Sequence, residues 1–145
     1  MRGFWKNWMT VWCWGVVAFG ALLATVAVPG LDGAARFVFE TFNGDKTSVG
    51  LFDLPAVKFG LGLQGALTIG WAMTMFAMVG AAQTLGAPLW RALTLSLAAW
   101  YVIDSAISVA TGFALNAASN TLLMATYLAP VLGSGVLREG RLAAA

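Results

Sequence analysis

Four apolar runs, each about twenty residues or longer, constrain this chain more than any other feature it carries. The first extends from Met9 to Val28 and stops at Pro29-Gly30. The second begins at Leu54-Pro55 and reaches Ala82. A third starts at Pro88, a favourable first-turn position, and ends near Gly112. The last begins at Asn116 and fades between Pro130 and Leu137. Each is long enough to cross a hydrocarbon core of ~30 Å as a helix. In lipid every backbone N–H and C=O must be satisfied internally, and four segments cannot close a barrel, so the runs must be helical. The expected fold is all-α: a four-transmembrane-helix bundle forming a single integral membrane domain over residues 1–145.

Composition agrees and removes several chemistries. The chain is 60% hydrophobic and only 10% charged, with a mean hydropathy of +0.82, well outside soluble norms. Its seven tryptophans suit aromatic belts at two interfaces. A net charge of +2, spread along the chain, excludes a nucleic-acid footprint, which needs clustered Lys and Arg. A single cysteine, Cys13, excludes an internal disulfide or a CxxC redox pair. No histidine is present, so imidazole acid–base chemistry and His-based metal or haem sites are excluded too.

Arg2 and Lys6 precede an apolar run ending Ala24-Thr25-Val26-Ala27, which loosely mimics a signal peptide. The length of the run and its Trp5, Trp8, Trp12 and Trp14 favour an uncleaved first helix. An N-in, C-in topology then puts Arg2, Lys6, Arg91, Arg138 and Arg141 on the cytoplasmic side. Arg36 and Lys46 lie outside, with Lys58 near the outer end of the second helix. That distribution obeys the positive-inside rule and points to the inner membrane of a bacterium.

The one long loop, residues 30–54, carries a second pattern. Leu31, Ala34, Ala35, Val38, Phe39 and Phe42 recur on one helical face, while Asp32, Arg36 and Glu40 follow at i, i+4 steps on another. Asp32 is placed to cap such a helix and Asn43-Gly44 to stop it. The expectation is a short amphipathic interfacial helix, either floating on the outer leaflet or closing as a lid over a cavity. The stretch from Gly44 to Gly50 reads as polar and turn-rich.

Small residues at four-residue spacing mark close helix contacts: Gly62, Ala66 and Gly70 on the second helix, Gly20 and Ala24 on the first, and Ala99, Ala106 and Ala110 on the third. Such stripes serve either the bundle itself or a homo-oligomer.

Asp104 is the residue that resists this apolar background. Translocon scales set an acid at mid-membrane at about 2.5–3.5 kcal/mol, so it needs a partner or a purpose. Tyr101, Asp104, Ser105, Ser108 and Thr111 share one face of the third helix, and Asn116, Asn120, Met124 and Tyr127 one face of the fourth. A short connection through Gly112 to Leu115 makes the two helices antiparallel neighbours. Reflection about that turn sets Ser108 opposite Asn120, Asp104 near Met124 and Tyr101 near Tyr127, with Asn120 in reach of Asp104 or Ser108. Asp104 then lies roughly 12 Å below the outer end of its helix, and Gln64 at a similar depth on the second.

Plainer roles exist for several of these residues. Asn116 suits the N-cap of the fourth helix. Ser105, Ser108 and Thr111 can satisfy their hydroxyls on carbonyls one turn back. Lys58 can snorkel to the headgroups, with an ion pair to Asp104 as the alternative, and Cys13 reads as a small buried hydrophobe. For Asp104 two readings stand. As a neutral acid donating to Asn120 or Gln64 it would be interhelical glue, worth under ~2 kcal/mol. As a functional residue it would be a protonatable site or an anchor for a ligand head group, the usual meaning of intramembrane acids.

The run from Trp100-Tyr101-Val102-Ile103-Asp104-Ser105 through Gly112-Phe113-Ala114-Leu115-Asn116 to Ser119-Asn120-Thr121, with Gly70-Trp71, resembles uncharacterised small four-helix inner-membrane proteins of bacteria. The layout is also similar to that of DoxX-like four-helix proteins. The resemblance implies topology only; no motif here carries a redox association or a catalytic role.

Three functional classes fit. The first is a non-catalytic subunit, assembly factor or lipid-binding partner of a larger membrane complex, its partners being membrane lipids and another membrane protein or a second copy of itself. The second is a small oligomeric transporter or channel lined by Asp104, Asn120 and Gln64. The third is an enzyme or carrier for a quinone, isoprenoid or lipid, with Tyr101, Tyr127 and Asp104 at the head group. No nucleophile–base pair or metal set favours catalysis, and the only bound groups the residues suggest are a lipid or a quinone.

Overall fold

The computed structural model describes residues 1, 3–43 and 46–138, and among them helices are the only regular secondary structure. Five α-helices follow in order: α1 (Phe4–Ala24), α2 (Gly33–Asn43), α3 (Pro55–Leu85), α4 (Ala87–Ala110) and α5 (Ala114–Gly133). Single 3-10 stretches extend α1 (Thr25–Ala27) and lead into α3 (Lys46–Asp53). The second of these occupies much of the segment expected to be turn-rich. Arg2, Arg141 and Gly44, used in the charge and loop arguments, lie outside the described residues, as does the side chain of Lys46.

Three of the helical stretches, Phe4–Ala27, Pro55–Leu85 and Ala87–Ala110, are long and apolar enough to cross a membrane, which marks an integral membrane protein. At 20 residues α5 is shorter than these but still long enough for a span, and it falls short of them in hydropathy. Its Asn116 and Asn120 dilute the average, and the side chains of both turn into the bundle. Large apolar side chains such as Val11, Leu67, Leu95, Val102, Ile103 and Leu122 are exposed on the outer faces, where a soluble protein would carry charge.

Glycine sets the closest contact. A Cβ on Gly65 would lie 2.3 Å from the backbone N of Ala24, and one on Gly20 would lie 2.9 Å from the N of Ile69, so α1 and α3 touch backbone to backbone. Gly62 meets the Cβ of Ala27. The expected stripe on the second helix is therefore rotated. Gly65 carries the contact, whereas nothing approaches within 4 Å of a Cβ at Gly70, and Ala99, Ala106 and Ala110 of α4 are exposed.

The turn between α4 and α5 is a Schellman motif. Gly112 adopts φ 88°, the Phe113 N–H donates to the Ser108 carbonyl at 2.7 Å, and the Gly112 N–H donates to Val109 at 3.3 Å. Only glycine takes that φ without strain. Gly86 (φ 73°) closes the α3–α4 junction equally tightly, serving as the last cap of one helix and the first of the next.

Pro130 lies inside α5 and has no N–H to give the Thr126 carbonyl. The indole of Trp8 supplies that donor instead, at 2.9 Å, and one turn away the indole of Trp12 donates to the Leu123 carbonyl at 3.1 Å. Two tryptophans of α1 thereby dock onto α5. Around them Met9, Cys13, Val16, Ala72, Met75, Trp90, Leu97, Tyr127 and Val131 form a core drawn from α1, α3, α4 and α5.

Candidate functional site

At the α2 end the packed core gives way to space. One cavity, of about 300 Å³, lies between α1, α3, α4 and α5 and is lined by Phe19, Gln64, Trp71, Trp100, Asp104 and Asn120 among others. A second, of about 330 Å³, shares Phe19, Phe42, Gln64, Asp104 and Asn116 with the first and continues beneath α2 along Val38 and Phe39. Aromatic rings make the floor. Trp71 lies 5.7 Å from Trp100, Trp12 lies 6.3 Å from Trp71, and Tyr127 lies 5.5 Å from Trp12, centroid to centroid.

The roof is the amphipathic α2. Its Ala35 is fully buried with Val26 and Phe52, and Phe39 makes edge contacts with Phe52 and Phe113 at 5.3 and 6.4 Å. The helix packs against the end of the bundle through Ala35 and Phe39. Charge fastens it. Arg36 donates to Asp32 at 2.7 Å, as the i, i+4 spacing predicts, and also pairs with Asp53, which spacing could not show. Lys58 turns to Asp53 at 3.5 Å, far from any role at Asp104. The guanidinium beside them holds both the Asp32 and the Asp53 carboxyl below the ordinary carboxylate value.

Asp104 stands on the α4 wall and is half-buried. Its Oδ1 accepts from Asn120 Nδ2 at 2.7 Å, Asn116 Nδ2 at 3.0 Å and Ser108 Oγ at 3.1 Å. Asn116 Nδ2 also donates to Ser108 Oγ at 2.8 Å, and Ser108 Oγ to the Asp104 carbonyl at 2.7 Å. Both Ser108 and Asn120 are buried. Oδ2 takes no donor among the described residues and is not fully buried, and Asp104 lines both cavities. Among the described residues, no lysine or arginine lines either cavity holding Asp104.

The expected constellation is only partly assembled. Asn120 reaches Asp104 as the spacing suggested, and Ser108 joins it. Gln64 lines both cavities, but its side chain makes no hydrogen bond among the described residues and does not touch Asp104. Tyr101 bonds Thr121 at 3.0 Å on an exposed edge, and Tyr127 bonds Thr94 at 3.1 Å beneath the aromatic floor; the two tyrosines do not meet. The cause is the Schellman turn. It centres the α4–α5 pairing on Thr111 and Gly112 rather than on Ala114, sliding each partner along α5. Asn116, expected to cap α5, instead sits in its first turn and turns inward, while Phe113 holds the cap position. Ser105 Oγ is buried without a partner, unlike Ser108 and Thr111, which do bond carbonyls one turn back.

The chain matches no family model, no curated protein and no solved structure. What the site can do therefore rests on its own geometry: a half-open, mostly apolar cavity with Asp104 held in a donor network on one wall.

Proposed function

We propose that this is a non-catalytic inner-membrane protein that holds a single amphiphilic molecule, acting as the lipid-binding partner or small subunit of a larger membrane complex. One observation carries the reading: the α2-roofed cavity is mostly apolar, with a few polar side chains, chiefly Asp104, Asn116 and Asn120 on the α4–α5 wall and Gln64 on α3. That combination of apolar lining and a few convergent polar groups is the usual form of a small-molecule site. An intramembrane acid of purely structural use would be expected to pair both carboxyl oxygens in the bundle, whereas Oδ2 of Asp104 takes no donor among the described residues and is not fully buried.

In this reading α5 is a fourth span, its two asparagines turned inward while Leu122 and Leu132 face lipid. The end opposite α2 carries Lys6, Arg91 and Arg138, and we place it in the bacterial cytoplasm by the positive-inside rule. Arg36 and Lys58, at the α2 end, are paired with Asp32 and Asp53. A transport role has one supporting feature, an acid facing a cavity, but Trp12, Trp71, Trp100 and Tyr127 block the way onward.

Purification in mild detergent followed by native mass spectrometry tests the proposal. The expected result is a retained lipid-class molecule, one per chain, or a stoichiometric protein partner. A bare chain with neither would overturn it.

A further inference from the structure

We infer that the cavity selects a neutral, hydroxyl-headed amphiphile, with the hydroxyl on Asp104 and the apolar tail along Phe39, Leu61 and Phe113. The inference rests on the amphiphile-binding reading and adds the head-group class.

The argument begins with what the wall offers. Two amide groups and a proton that Ser108 shares with the Asp104 carbonyl already converge on Oδ1 of Asp104, which leaves Oδ2, without a donor among the described residues, as the atom for a ligand. An ionised carboxylate accepts there; a protonated one donates there. A hydroxyl group does both, so it fits Asp104 in either state. Gln64 offers an amide oxygen and an NH2 to the same two cavities, again a pair of opposite roles that a hydroxyl can use. An anionic head group does not fit beside the acid, and among the described residues no lysine or arginine lines these cavities to offset it. Arg36 and Lys58, at the roof, are engaged with Asp32 and Asp53. An amine would suit the ionised acid alone.

The tail has a continuous apolar path. Phe39, Leu61 and Phe113 line both the cavity that holds Asp104 and a third, of about 220 Å³, between α2 and the start of α3. Arg36 and Glu40 also line that slot, whose other members are apolar. The ligand would thus lie with its hydroxyl inward and its tail under α2.

Collisional quenching separates the possibilities, because Leu51 lines the slot that takes the tail and a bromine at the tail end of a probe quenches an indole placed there on contact. The protein in detergent is titrated with ω-bromoundecanol, ω-bromoundecanoic acid and ω-bromoundecylamine, and the signal read is the component gained in Leu51→Trp. The expected result is saturable quenching by the alcohol with at least about tenfold higher affinity than the acid or the amine. Asp104→Asn, which turns an NH2 toward the ligand, should shrink that preference or reverse it toward the acid. Gln64→Leu, a change at an exposed side chain without hydrogen bonds, should weaken the alcohol without lowering the unfolding temperature. Equal or tighter binding of the acid or amine to the unaltered protein, or a preference unmoved by Asp104→Asn, overturns the head-group assignment and leaves amphiphile binding standing. If no probe gives saturable quenching of the Leu51→Trp component, the amphiphile-binding reading itself fails.

Discussion

Asn116 Nδ2 lies 3.0 Å from Oδ1 of Asp104 across the α4–α5 turn, so the first turn of one helix holds the acid of its neighbour. The same amide group binds Ser108 Oγ, making Asn116 the residue that joins the wall together. Asn116→Ala should remove two hydrogen bonds and leave Asp104 with Asn120 and Ser108. The expected loss is about 1–2 kcal/mol, within the range of interhelical polar contacts in membranes. Asn116→Asp should cost more, since it sets a second carboxylate against the first. Reversible unfolding in detergent measures both. An Asn116→Asp protein as stable as the unaltered one would show that the cluster bears no charge.

Much of this wall was legible beforehand, and the limits are physical. Asp104, Ser108 and Asn120 came from helical periodicity, which holds along any straight helix. The partners of Tyr101 and Tyr127 did not, because cross-helix register depends on where the turn closes. Gly112 moved that point by taking a positive φ and completing the Schellman bonds. Asn116 was obscured by its own chemistry: the same amide that caps a helix also binds a carboxylate. The Arg36–Asp53 pair spans a loop, where sequence spacing says nothing about approach.

Two glycines of α3 should respond in opposite ways. At Gly65 a Cβ would collide with the backbone of Ala24, which cannot move aside as a flexible side chain could. Gly65→Ala should force α1 from α3 and destabilise by about 1–3 kcal/mol or more. At Gly70 there is open space, and Gly70→Ala should be neutral or stabilising by up to about 1 kcal/mol through helix propensity. Thermal unfolding of the two variants side by side reads the contrast, and equal effects would contradict the helix contact described here.

The clasp on α2 should depend on acid pH in a defined direction. Hydrogen bonding by Arg36 comes first among the causes that lower the Asp32 and Asp53 carboxyls from their ordinary value of 3.8. Because the folded values are depressed, the contribution is complete above that ordinary value and is lost as pH falls through the depressed ones. A spin label at Phe37, which is exposed on α2, reports the outcome in a Cys13→Ala background. The label should stay immobile from neutral pH to about pH 4 and loosen below it. Arg36→Met should loosen it at every pH; a label indifferent to that change would mean that apolar packing of Ala35 and Phe39 alone holds the roof.

The same cysteine-free background tests the orientation. Single cysteines at Lys6 and Arg91 should be shielded from an impermeant maleimide added to intact cells, and one at Phe37 should react. The reverse pattern would place α2 on the cytoplasmic side and remove the charge argument for N-in, C-in topology.

Trp8 and Pro130 should behave as a coupled pair. Proline leaves the Thr126 carbonyl without its helical donor, and the Trp8 indole takes over at 2.9 Å. Trp8→Phe keeps an aromatic ring in place but strands a carbonyl, with an expected loss of about 1–2 kcal/mol. Pro130→Ala restores an N–H one turn ahead of that carbonyl, so the indole bond becomes redundant. In the Pro130→Ala protein, Trp8→Phe should therefore have much less effect, and a double-mutant cycle should give a coupling of about 0.5–2 kcal/mol. Additive effects of the two substitutions would mean that Trp8 stabilises the α1–α5 contact by packing alone, with the carbonyl satisfied by other means.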